Sequence, residues 1–230
     1  MRIWRRCWPI CGGLCCEQAG RCWNYATHYP GLRSFGGKMS LEMNTYVPII
    51  NNLLIPQWIS EIQKLGMDCE MHPNISLISH NGFLPFKIRI RDSIHKELNG
   101  VDFLTGFEFY SEDFNLQVEL DKRTPKSGGL GRFLRGKSRQ EPYATVELDK
   151  KLECCRKLLT FSWGAADLFE LRMVNISSAV LAEITGGVVS YPADNIWYNR
   201  SVVESLAEAR EYENSCKPRD IKVHRFERWL

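Results

Sequence analysis

Residues 161–198 read FSWGAADLFELRMVNISSAVLAEITGGVVSYPADNIWY, and the order of patterns within them decides the fold. Leu168, Leu171, Ile176, Ala179, Val180 and Ile184 recur at helical spacing, and the run stops at Gly186-Gly187. Val188 to Tyr191 is then an apolar β-type run closed by Pro192, with Ala193-Asp194-Asn195 as a turn. A helix, a glycine stop and a short strand follow one another, which is the grammar of a mixed fold. The pattern predicts that Leu171, Ile176 and Val180 face a sheet, with Arg172 and Asn175 on an exposed opposite face. No paired acids, metal-ligand spacing or nucleophile constellation lies inside the stretch, so it specifies architecture rather than chemistry.

Working outward, the clearest strand signal is the alternation of Phe86, Ile88 and Ile90 with Lys87, Arg89 and Arg91, one face core and one face wet. Met67 to Met71 precedes it as a strand, and His80-Asn81-Gly82-Phe83 is a hairpin signal. Ile75 to Ile78, Val101 to Tyr110 and Asn115 to Leu120 continue the strand grammar, with Gly106 expected at a bulge and Glu112-Asp113 at a turn. Tyr46 to Ile50 reads as an opening strand. A helix follows, with Pro56 in its first turn, Trp58, Ile59, Ile62 and Leu65 on one face and Gly66 at its end. Val146 to Leu159 reads as a helix passing into a strand at 158–162. A strand at 196–198 and a helix from Ser201 to about Tyr212 complete the body. The expected architecture is a single α+β domain, a mostly antiparallel sheet with two or three packed helices. That domain spans residues 43–216 and carries a basic loop at 122–143. It follows an irregular arm at 1–42 and precedes a charged tail at 217–230 that docks through Phe226 and Trp229.

Composition sets limits on what the chain can be. At 230 residues, with 44% hydrophobic and 25% charged, it can bury a core without staples. The net charge of +3 is misleading, because residues 1–38 alone carry +5 and the remainder carries −2. General affinity for nucleic acid does not follow from such a balance, which needs a concentrated basic face. No run of about 18 apolar residues is present, so no membrane span is expected.

Five of the nine cysteines, Cys7, Cys11, Cys15, Cys16 and Cys22, fall in the arm. Their spacing matches no zinc module, and Pro9, Gly12 and Gly13 break the apolar stretch that a signal peptide would need. Met39 and Met43 both stand just before the first segment that reads as fold, and translation is expected to begin at one of them. Cys69, Cys154, Cys155 and Cys216 form no C-x-x-C pair and read as thiols of a reducing cytoplasm.

Gly131 to Ser138 (GRFLRGKS) satisfies the letters of a P-loop, yet a P-loop needs a buried strand leading straight in and a helix starting at its lysine. Residues 122–129 separate it from any strand and Pro142 restricts a following helix, so the match reads as accidental. Lys122, Arg123, Lys126, Arg132, Arg135, Lys137 and Arg139 make the same loop a cation cluster without an intervening acid. Arg132, Arg135, Lys137 and Arg139 are therefore the candidate contacts to a polyanion or a partner, although Phe133 is the lone aromatic among them. His72, His80, His95 and His224 converge on no chemistry. Cys69 reads as a small buried hydrophobe, and Glu108, Glu112, Asp113 and Glu119 as a wet acidic edge. No catalytic residue, cofactor or metal is expected.

Leu181-Ala182-Glu183-Ile184-Thr185-Gly186-Gly187-Val188-Val189 resembles a bacterial segment in which a helix reading A-x-L-A-x-x-T-G-G-V enters a strand followed by D-P-Q. Tyr191-Pro192-Ala193 stands here in place of D-P-Q. The segment, over roughly residues 177–212, is similar to small uncharacterised bacterial proteins, some of them akin to immunity proteins of toxin systems. That resemblance implies a soluble cytoplasmic α+β protein without catalysis and identifies no toxin; the leading expectation is a non-enzymatic protein-binding protein of immunity type that neutralises a cognate toxin. The competing expectation is a nucleic-acid-associated accessory protein acting through residues 122–139.

Overall fold

The alternation at 86–91 becomes a strand with one enclosed face, on which Phe86, Ile88 and Ile90 have no solvent exposure. The computed structural model describes residues 34–35, 38–123, 141–164, 168–198, 202–216, 221 and 223–229. In chain order the strands are β1 (Ser34–Phe35), β2 (Lys38–Val47), β3 (Met67–Met71), β4 (Gly82–Ile90), β5 (Asp102–Asp113), β6 (Lys157–Gly164), β7 (Val188–Tyr191), β8 (Ile196–Tyr198) and β9 (His224–Arg225). The helices are α1 (Leu54–Lys64), α2 (Leu116–Arg123), α3 (Val146–Leu152), α4 (Leu168–Thr185) and α5 (Val202–Ser215). The sheet runs β3-β4-β5-β6-β2-β7-β8, with β1 on β2 and β9 on β5, and every described pairing is antiparallel. The chain is thus a single α+β domain, with five helices among the described residues where two or three packed helices were expected.

One face of the sheet carries the main core. Phe86, Phe107, Phe161 and Phe109 succeed one another across β4, β5 and β6 with ring centroids 5.2–5.4 Å apart. Trp58 of α1 meets Phe86 edge-on at 5.7 Å and donates its indole N–H to the Ser177 carbonyl of α4 at 3.2 Å, joining both helices to this layer. Tilted and edge-on aromatic packing of this kind adds to simple area burial.

Helix α4 lies on β2, β5, β6 and β7 and is itself covered by α1 and α5. Residues 171–181 are buried on every side. The exposed face expected at Arg172 and Asn175 does not exist, since both are nearly inaccessible. A helix apolar around most of its circumference is an interior helix, and its few polar residues go inside with it. Its end is as expected. Gly186 takes a left-handed φ of 69°, its N–H reaches the Glu183 carbonyl at 3.4 Å, and Gly187 N–H reaches Ala182 at 2.7 Å. This pair of bonds closes the helix and turns the chain into β7. Leu171→Ala and Ile176→Ala should each cost about 2–4 kcal/mol in urea titrations, through lost burial and the cavity left behind.

Several local expectations yield to tertiary contacts. The opening strand begins at Lys38, not Tyr46, and so crosses the boundary expected at residue 43. Residues 75–78 form no strand: the Asn52 side chain donates to Ser76 Oγ at 3.0 Å and accepts from Leu77 N–H at 2.9 Å, pinning Leu77 inside a turn. Residues 116–123 are α2 rather than a strand, because Asn115 Oδ1 receives Val118 N–H at 3.2 Å, and Leu116 and Leu120, four apart, share an apolar cluster. Gly106 is no bulge, since its pairing with Pro85 continues the register unbroken. A Cβ there would lie 2.3 Å from the Leu84 carbonyl oxygen and 2.6 Å from the Phe83 ring, so the position is one of close approach. Glu112 and Asp113 belong to β5 rather than to a turn. The expected 146–159 helix stops at Leu152; Thr145 Oγ1 caps its start by accepting from Leu148 N–H at 3.2 Å. The tail docks through β9, Phe226 and Trp229.

Candidate functional site

Residues of even parity in β2, β6 and β5 point away from the main core, and the register aligns them in rows. Glu42, Ser162, Glu108 and Phe83 form one row. Trp197, Ser190, Asn44, Thr160 and Tyr110 form the next, and Val188, Tyr46, Leu158 and Glu112 a third. Within the first two rows Thr160 donates to Asn44 Oδ1 at 3.1 Å, and the Tyr110 hydroxyl donates to Glu108 Oε2 at 3.2 Å.

Each end of this second face is covered. Over the third row, α2 and α3 with Phe114 and Tyr143 build a smaller apolar cluster around Tyr46. Tyr46 packs on Phe114 at 4.8 Å and Trp197 at 5.3 Å, and its hydroxyl stands 3.4 Å from that of Tyr143. Burial, with Tyr143 beside it, pushes the Tyr46 phenol far above its ordinary range. Arg123 closes the cluster, its guanidinium 3.9 Å above the Tyr143 ring and bonded to the Tyr143 carbonyl at 2.8 Å.

At the other end the cations of β4, and Arg91 just beyond it, are matched one by one. Arg89 grips Asp102 with bonds of 2.6 and 2.9 Å, Arg91 binds Asp68, and Lys87 binds Glu70 at 3.0 Å. The hydrogen bonds from Arg91 and Arg89 hold Asp68 and Asp102 below the usual carboxylate range. Phe226 of the tail lies 5.4 Å from Lys87 Nζ and packs on Trp229, which in turn meets His72 at 5.2 Å.

Between the two covers lies a strip containing Glu42, Asn44, Thr160, Glu108, Tyr110 and Phe83. The strip positions 42, 44, 160, 162, 108 and 110 include two glutamates and no lysine or arginine. Phe83, 45% exposed, lies with its ring over Gly106 in the row of Glu42 and Glu108. Acids beside an exposed aromatic form a surface that accepts a cationic side chain by charge and by ring face together.

A second polar constellation is sealed inside. Arg172 on α4 and Glu213 on α5, 1% and 2% exposed at the side chain, form an ion pair. Ser93 Oγ also bonds to Glu213, Arg172 Nη2 reaches Asp92 at 3.4 Å, and Asp92 pairs with Arg210. His95 stands with Nε2 at 3.4 Å from the Glu213 carbonyl. Desolvation pulls the Arg172 pKa down, and Glu213 opposes that pull. Asp92 and Arg210 reach the surface, while the buried Arg172, Glu213 and Ser93 fasten α5 and the 92–99 turn to α4.

Arg132, Arg135, Lys137, Arg139 and the Gly131–Ser138 motif lie outside the described residues, as do the five cysteines of the arm. Lys122, at the start of the basic run, is occupied by Glu119 at 2.6 Å. The described histidines stay apart, His80 bonding to the carbonyls of Gly82 and Phe83. No cluster of three or more His, Cys, Asp or Glu able to hold a metal occurs among the described residues. Cys69 is buried as expected, and Cys155 is buried too, its thiol pushed up to about 11 by burial. The acidic edge expected from Glu108 to Glu119 is divided: Asp113 binds Lys157 at 2.7 Å and Glu119 sits on α2, leaving Glu108 and Glu112 on the sheet face. No described helix is long and apolar enough to cross a membrane. No family model, curated protein or solved structure matches this chain.

Proposed function

We propose that this chain is a non-enzymatic, cytoplasmic protein-binding protein of immunity type, which neutralises a cognate toxin by engaging a basic surface of it. The strip between the two covers of the sheet supports the binding reading: Glu108 stands opposite the exposed Phe83 on the pairing of β4 with β5. A strand-borne surface is rigid, so little ordering opposes association. Its acid surplus fits a cationic partner and would steer encounter in low salt. The toxin part of the reading rests on the resemblance of residues 181–189 to segments of immunity-like proteins.

Co-expression with the products of the genes adjoining this chain's own, in a host whose growth they arrest, tests both parts. The unmutated chain should restore growth, and purified proteins should form a complex whose association rate falls with added salt. Glu108→Lys and Phe83→Ala should each raise Kd by about tenfold. Failure of the unmutated chain to restore growth would overturn the immunity reading. Rescue indifferent to the charge reversal would move the contact surface elsewhere.

A further inference from the structure

On the helical side of the sheet, away from the acidic strip, α4, α5 and the β2–β7–β8 strands enclose a cavity of about 340 Å³. Met43, Ala179 and Val189 give it apolar walls, and the charged Lys151 and Glu183 stand at its exposed mouth. Ser205 of α5 also lines it. That side chain is fully buried, and its Oγ has no hydrogen-bond partner. Ser178, on the opposite wall, has its hydroxyl engaged by Met43 Sδ at 2.8 Å and the Asn175 carbonyl at 3.2 Å.

We propose that this cavity binds a small uncharged molecule with an apolar, ring-sized body and one hydrogen-bonding group, such as an aromatic alcohol, held through Ser205 Oγ. A buried hydroxyl that neither donates nor accepts is a standing penalty that a ligand removes. Serine can do both, so a phenolic O–H is matched whichever way the proton lies. The two charged side chains on its lining, Lys151 and Glu183, are opposite in sign and solvent-exposed, so an ionised ligand seated beside the buried Ser205 would be desolvated with no net compensating charge. The volume falls at the small end of the roughly 300–1,000 Å³ of small-molecule sites.

Titration of the full-length protein with phenol, toluene and benzoate, followed by amide chemical shifts and by melting temperature, tests the site. Phenol should shift the amides around Val189 and Ser205 and raise the melting temperature, toluene should bind more weakly, and benzoate should not bind. Ser205→Ala removes an unsatisfied group, so the variant should fold. It should weaken phenol by about tenfold while leaving toluene unchanged. Ala182→Leu, which fills the space, should abolish both. The proposal is overturned if phenol produces no shifts, if Ser205→Ala weakens phenol and toluene alike, or if Ala182→Leu leaves binding intact.

Discussion

Arg172→Ala should destabilise the fold by about 3–5 kcal/mol, among the largest effects of any single replacement in this chain. The alanine leaves Glu213 buried without its partner, and it also removes the hold on Asp92. Coulomb attraction between the two charges barely exceeds what burying them cost, so the pair itself contributes little net stability; the damage comes from leaving one member behind. Replacing both, Arg172→Met with Glu213→Leu, should therefore recover most of the loss. Urea unfolding of the two single variants and the double variant forms the required cycle. If Arg172→Ala lies within about 0.5 kcal/mol of the parent, the pair is not closed to water.

Gly187→Ala should cost about 3 kcal/mol, more than the same change at Gly186. At Gly187 a Cβ would lie 2.3 Å from the Tyr46 carbonyl oxygen, so β2 and β7 must part to admit it. At Gly186 nothing stands within 4 Å of an added Cβ, and the penalty is the left-handed backbone alone, about 1–2 kcal/mol. Thermal and denaturant unfolding of both variants gives the order. A milder effect at Gly187 than at Gly186 would show that strand spacing there adapts.

The fold class was legible because two periodicities are written plainly in the chain. Residues 86–91 alternate in steps of two, and 168–187 runs as a helix to a glycine stop. What remained hidden depends on residues distant in sequence. Arg172 looks exposed on a helical wheel, and it is α5, some forty residues on, that covers it. A readable signal existed nonetheless: Phe169, Leu171, Met173, Val174 and Ile176 are apolar on all sides of that arginine. Asn52 undoes the expected strand at 75–78 from outside the segment, so no local pattern could announce it. Glu108 and Glu112 were identified as acidic and wet. Their alignment with Glu42 and Phe83 follows only from the pairing order β4-β5-β6-β2. Phe83 left one mark, an aromatic on the polar parity of β4.

The central place of β2 bears on how the chain is made. Met43 pairs with Phe161 and Asn44 with Ser190, so β2, the first long strand among the described residues, finds these two neighbours more than a hundred residues later. At roughly 5–20 residues per second, β2 waits many seconds with only the two residues of β1 paired to its start. During that interval β3, β4 and β5 can pair among themselves, since they are consecutive. The last event is then an insertion, in which β2 is captured between β6 and β7 as the carboxy-terminal third arrives.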